Sequence, residues 1–102
     1  MDILKNMSKK SRDLLYEWWE KTHPTLTDDY MSTCDLLEFF DSQGMIIHQF
    51  PTSDEDGIFW GSFAVDSNHK KIKGFSAYGD TRQQATDEAI KKAMEILNDK
   101  LK

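Results

Sequence analysis

Three histidines, one cysteine and a run of carboxylates are the side chains in this sequence that could do chemistry. His23, His48 and His69 lie far apart, and none has a second ligand at a fixed spacing. Cys34 is alone. Zinc needs three or four His, Cys or carboxylate ligands in register, so no metal is expected. Asp54-Glu55-Asp56-Gly57 invites a calcium loop. With Gly57 at the sixth position of such a loop, the first and twelfth ligands would be Thr52 and Phe63, and both fail. The segment is read instead as an acidic hairpin loop. A nucleophile needs a base and an orienting group. Cys34 falls on the apolar side of an expected helix, beside Tyr30 and Leu37, and reads as a small core residue. No Gly-rich phosphate loop, nucleophile elbow or paired-histidine motif occurs. Catalytic residues and cofactors are therefore not expected.

Charge is the more informative chemistry. The net charge is −5 over 102 residues, but it is unevenly spread. Residues 1–22 carry five basic and four acidic groups, residues 23–57 eight acidic and no basic, and residues 58–102 eight basic and six acidic. The eight uncompensated carboxylates are Asp28, Asp29, Asp35, Glu38, Asp41, Asp54, Glu55 and Asp56. Such a stretch is a solvated face or a surface for a basic partner. The opposite candidate is Lys70, Lys71 and Lys73 with Arg82, which would have to share one face to neutralise phosphates. Asp80, Asp87 and Glu88 lie close to Arg82 in sequence and oppose that reading.

The elements that must position these groups follow from periodicity. Residues 1–7 read as a loose tail, and residues 8–102 as one domain. A first helix starts from Ser8 or Ser11 and runs to about Thr22, with Leu14, Leu15, Trp18 and Trp19 as its apolar stripe. His23-Pro24 stops it. A second helix starts at Thr27, or at Thr33 if the chain breaks there, and ends at Gly44. Its apolar arc is wide, so it is either covered from two sides or partly exposed. The period then drops to two. Met45–Phe50 reads as a strand, Pro51–Gly57 as a loop, Ile58–Val65 as a strand, and Lys70–Tyr78 as a third strand after an Asx-rich turn. Thr81 with Gln84 opens a last helix striped by Ala85, Ala89, Ile90, Ala93, Met94, Ile96, Leu97 and Leu101. The expected fold is α+β, in two layers. A three-stranded antiparallel meander packs against helices, in the order α-α-β-β-β-α. No signal peptide or membrane span is visible, and cytoplasm is the expected location.

From Cys34 to Leu97 the order resembles the double-stranded RNA-binding domain. Gly79-Asp80-Thr81-Arg82-Gln83-Gln84-Ala85 is similar to that family's turn and Ser-Lys-Lys-x-Ala-Lys helix start. Thr81 and Ala85 match structural positions and Arg82 one basic position, but Gln83 and Thr86 stand where two phosphate-contacting lysines belong. The resemblance thus implies the topology more than the activity. The chain also resembles the small phage and prophage ABA-sandwich domain, through Tyr30-Met31-Ser32-Thr33, the strand Ile58–Phe63, and Gly79 to Ala93. There the helix Ala85-Thr86-Asp87-Glu88-Ala89-Ile90 has one turn inserted. That match implies a mobile-element origin. Neither resemblance covers residues 1–26. The leading expectation is a non-catalytic module that binds another protein through the acidic region. Nucleic-acid binding through Lys70, Lys71, Lys73 and Arg82 is the alternative.

Overall fold

The computed structural model describes residues 5–27 and 31–102. Three helices and one sheet follow in the order α1 (Lys9–Thr22), α2 (Thr33–Ser42), β1 (Ile46–Asp54), β2 (Gly57–Val65), β3 (Ala77–Gly79) and α3 (Arg82–Lys100). The strands form an antiparallel meander, β1-β2-β3. The α+β architecture expected from the sequence is the one observed.

Ser8 caps α1, its hydroxyl accepting from the Ser11 amide at 3.2 Å. The stripe turns Leu15 and Trp19 into the core and leaves Leu14 and Trp18 at its edge. A clasp holds this helix down. Asn98 on α3 accepts from the Ser8 amide at 3.0 Å and the buried Ser11 hydroxyl at 2.7 Å, and donates to the Asn6 carbonyl at 3.2 Å. Met7 is 5% exposed and belongs to the core. The loose tail expected over residues 1–7 therefore does not reach Met7, and its first four residues lie outside the described part.

α2 starts beside the later of the two expected positions, with its cap one residue before the expected cap Thr33. Ser32 is its cap, with a reciprocal capping box to Asp35. The Thr27-Asp28-Asp29 start falls partly on residues 28–30, outside the described part. The buried face of α2 is Leu36, Phe39 and Phe40, and at about 100° per residue Cys34 lies opposite it and is exposed, so the core role expected for it is corrected. The wide apolar arc is exposed at Cys34 and covered over Leu36, Phe39 and Phe40. Leu36, Phe39 and Phe40 are buried, and Trp18 of α1 meets Phe39 edge-on at 5.7 Å. Each such buried side chain contributes about 1.5–3 kcal/mol.

Two strand boundaries differ from expectation. The Pro51–Gly57 loop is largely strand, since β1 continues to Asp54 and only Glu55 and Asp56 turn the hairpin. Proline is tolerated because β1 is an edge. The Ala64 carbonyl accepts from Ile72 on the β3 side, so the alternation of β2 and its register to β1 point the Pro51 nitrogen outward. The third strand is far shorter than Lys70–Tyr78. Lys71 makes one isolated bridge to Val65. The chain then turns at Gly74, with φ +80°, and pairs again only over Ala77–Gly79. A left-handed residue mid-run breaks the ladder that the alternating pattern promised.

The helices cover one face of the sheet. Ala64, Ala77 and Ser62 are buried beneath α3, whose Ala85, Ala89 and Ala93 allow close packing. The Ser62 hydroxyl donates to the Ala85 carbonyl at 3.1 Å. The opposite face carries an aromatic row in which Phe63 lies against His48 at 5.2 Å and Phe50 at 5.9 Å.

Candidate functional site

The β1–β2 hairpin closes through its acidic turn. The Asp54 carboxylate accepts from the Asp56 amide at 2.8 Å, and Gly57 takes φ +130°. Asx residues make this bond readily, and only glycine adopts that φ without strain. Both strands of the hairpin thus run on to the acidic tip. β3 does not follow them. It ends at Gly79, where the chain swings into α3. The Asp80 amide donates to the Gln84 side chain at 2.9 Å, and the Thr81 hydroxyl accepts from the Gln84 amide at 3.1 Å. A β-carbon on Gly79 would lie 2.5 Å from the Ala85 nitrogen. Glycine is therefore what lets the helix start against the strand end.

These two facts leave a slot. The last β2–β3 pair is Trp60 with Gly79, so Gly57, Ile58 and Phe59 have β1 on one side and no strand on the other. The cavity beside them holds about 400 Å³ and is lined by Asp54, Asp56, Asp80, Ile58, Phe59 and Tyr78 together with the two glycines. The Phe59 and Tyr78 rings meet at 5.8 Å, tilted by 58°. Ile58 and Tyr78 are the most exposed large apolar side chains among the described residues, at 77% and 57%. The nearest arginine in sequence, Arg82, places its guanidinium over the Trp60 ring, 5.6 Å from its centre. Aromatic rings and carboxylates thus line one cavity, and both groups attract cations.

The remaining acidic residues are distributed differently. Asp35 serves its own helix: one oxygen accepts from the Ser32 amide at 2.8 Å and the Ser32 hydroxyl at 2.9 Å, while the other stands 3.8 Å from His23. Asp41 has its carboxyl pKa raised above 3.8, first by burial and then by Glu38, with His48 opposing. Asp41 is thus near His48, and Asp54 lies six residues further along β1, a strand length of about 20 Å. The structure therefore separates a helix group, Asp35, Glu38 and Asp41, from a hairpin group, Asp54, Glu55 and Asp56. Asp28 and Asp29 lie outside the described residues.

The basic candidates do not form one patch either. Lys71 sits over Phe63, 5.1 Å from the ring centre, on the face away from the helices. Arg82 lies over Trp60, which alternation puts on the helix face. Lys70 and Lys73 are exposed around the turn that follows β2. His23 stacks on Trp19 at 4.0 Å, and His69 occupies the turn with φ +63°. Among the described residues no three His, Cys, Asp or Glu side chains converge as metal ligands. No described helix is long and apolar enough to cross a membrane.

Sequence reasoning had found Asp54 and Asp56 but not Asp80, Phe59, Tyr78 or Ile58 as their companions. Asp80 figured only as a charge opposing Arg82. The available signal was Tyr78-Gly79-Asp80 itself, where a strand end, a glycine and a carboxylate precede a helix cap. No family model matches the chain, and comparison with curated proteins and with solved structures returns no match.

Proposed function

We propose that the protein is a non-catalytic interaction module that holds a basic segment of another protein at the slot between the hairpin tip and the start of α3. The observation that carries this is the lining: Asp54, Asp56 and Asp80 surround a cavity walled by Phe59 and Tyr78. Two uncharged walls lower the local dielectric and strengthen the pull of the carboxylates on a cation. The rings add a cation–π attraction of about 0.5–2 kcal/mol. A lysine or arginine side chain has the apolar stem and cationic head to use both. The acidic turn steers such a partner inward, and steering of this kind weakens with salt.

The test is a fluorescence titration of a labelled arginine- and lysine-rich peptide against the protein and against the triple variant D54N/D56N/D80N. Binding that weakens with salt and falls at least about tenfold in the variant is expected. Equal binding by both proteins, or none by either, would sink the reading. A short RNA duplex run in parallel tests the alternative based on Lys70, Lys71, Lys73 and Arg82, and is expected not to bind.

A further inference from the structure

The slot has a free strand edge along one wall, and this says how a partner would lie in it. We infer that the basic segment binds extended, as an added strand on the outer edge of β2 in line with β3. The inference rests on the interaction module proposed above and goes further by naming the backbone that receives the partner.

The direction of the β2 backbone is fixed by one bond. The Ala64 carbonyl accepts from the Ile72 amide at 2.8 Å, across the side of β2 away from β1. The ladder to β1 runs without a break from Ile46–Val65 to Asp54–Gly57. Alternation therefore points the backbone groups of Ala64, Ser62, Trp60 and Ile58 to that same side. Ser62 and Trp60 are opposed by Ala77 and Gly79. Ile58 is opposed by no strand, because β3 has ended. Its N–H and C=O open into the cavity, which occupies the path a longer β3 would have taken.

The two edges of the sheet are guarded differently. β1 carries Pro51 with its nitrogen outward, which blocks strand addition there. The β2 edge at Ile58 has no proline or lysine beside it. Its guards are Asp54, Asp56 and Asp80. Like charge turns away a second copy, whose own hairpin tip is acidic, yet attracts a basic strand. Charge thus selects the occupant. The pleat sets its pattern as well. Asp54, Phe59 and Tyr78 share the face of the sheet away from the helices, while the Ile58 side chain points to the helix face. A partner residue opposite Ile58 would be apolar, and its two neighbours basic, reaching Phe59, Tyr78 and Asp54. Main-chain bonds with alternating side-chain pockets are how an added strand is recognised.

The experiment uses the whole protein and a blocked heptapeptide of alternating arginine and valine. A second peptide has its central valine amides N-methylated, and a third has glutamate in place of arginine. Binding is followed by titration, and hydrogen exchange is read at the Ile58 amide. The first peptide is expected to bind and to slow Ile58 exchange by about tenfold or more, with the N-methylated peptide at least about tenfold weaker and the glutamate peptide inactive. The variant I58P, whose ladder to β1 is untouched, is expected to keep its fold by near-ultraviolet circular dichroism and lose the peptide. Equal binding of the N-methylated peptide with unchanged Ile58 exchange would overturn strand addition and leave the basic-partner reading standing. Failure of the arginine peptide to bind at all would overturn both. Protection of Ile58 in the free protein that grows with concentration would assign the edge to a second copy and overturn the inference.

Discussion

Two glycines of the sheet show what single residues decide here. Gly79 and Gly61 both face crowded surroundings, but the neighbours differ in kind. At Gly79 the nearest atoms are fixed to the backbone at the start of α3: the Ala85 nitrogen at 2.5 Å, the Gln84 Cβ at 2.6 Å and the Gln84 carbonyl carbon at 2.8 Å. At Gly61 the nearest atom is the far end of the Phe50 ring, at 2.6 Å. A ring can swing and a helix start cannot. Gly79→Ala is therefore expected to destabilise by about 2–3 kcal/mol and Gly61→Ala by less than about 1 kcal/mol, measured by urea unfolding. Asp41 supplies a pH prediction at the same scale. Its folded pKa is raised above 3.8, so its favourable contribution is complete below 3.8 and is lost as pH rises through the folded value. Asp41→Asn is expected to be more stable than the wild type at neutral pH. The difference should vanish below 3.8 in paired thermal melts.

At the scale of elements, helix starts position the site. α3 begins where it does because Thr81 caps it and Gln84 reaches back to the Asp80 amide. The same turn ends β3 and so opens the slot beside Ile58. Thr81→Ala removes the cap and is expected to cost about 1 kcal/mol of stability by denaturant titration. It should also weaken the binding of a basic peptide, because Asp80 loses its fixed place. α1 depends on one side chain of another element. Asn98 accepts or donates three bonds to the segment Asn6–Ser11, and one of them satisfies the buried Ser11 hydroxyl. Asn98→Ala is expected to destabilise by about 2–3 kcal/mol and to speed hydrogen exchange in α1 more than in the sheet.

For the whole molecule, the arrangement is polarised. The helices and the core they share occupy one region, and the β1–β2 hairpin projects an acidic tip from it. Residues 51 and 53–58 are exposed, so this arm is held by its ladder rather than by burial. Raising the ionic strength is expected to weaken partner binding at the tip steeply while changing the melting temperature little, as calorimetry at two salt concentrations would show. The order α2-β1-β2-β3-α3 carries no function by itself, because binding is done by side chains that can be exchanged without moving the backbone.

The sequence by itself determined the element types, their order and most of the caps. Those depend on neighbours along the chain. The stripe of α1, the capping residues Ser8 and Thr81 and the alanine face of α3 are each readable within a few turns. It also singled out two of the residues that line the slot, since Asp54 and Asp56 stand in a run of carboxylates without a counterion. Tertiary structure decided the rest. Pro51 is compatible with a strand only at an open edge, and an edge is a property of the sheet. The third strand shrank to three residues because Gly74 turned the chain and α3 claimed the end of the strand. Asp80, Tyr78 and Ile58 line one cavity with Asp54 only because that short strand left a gap beside a long hairpin. Local pattern fixes which way a side chain points along its own element. Which edge stays open depends on where the neighbouring strand stops.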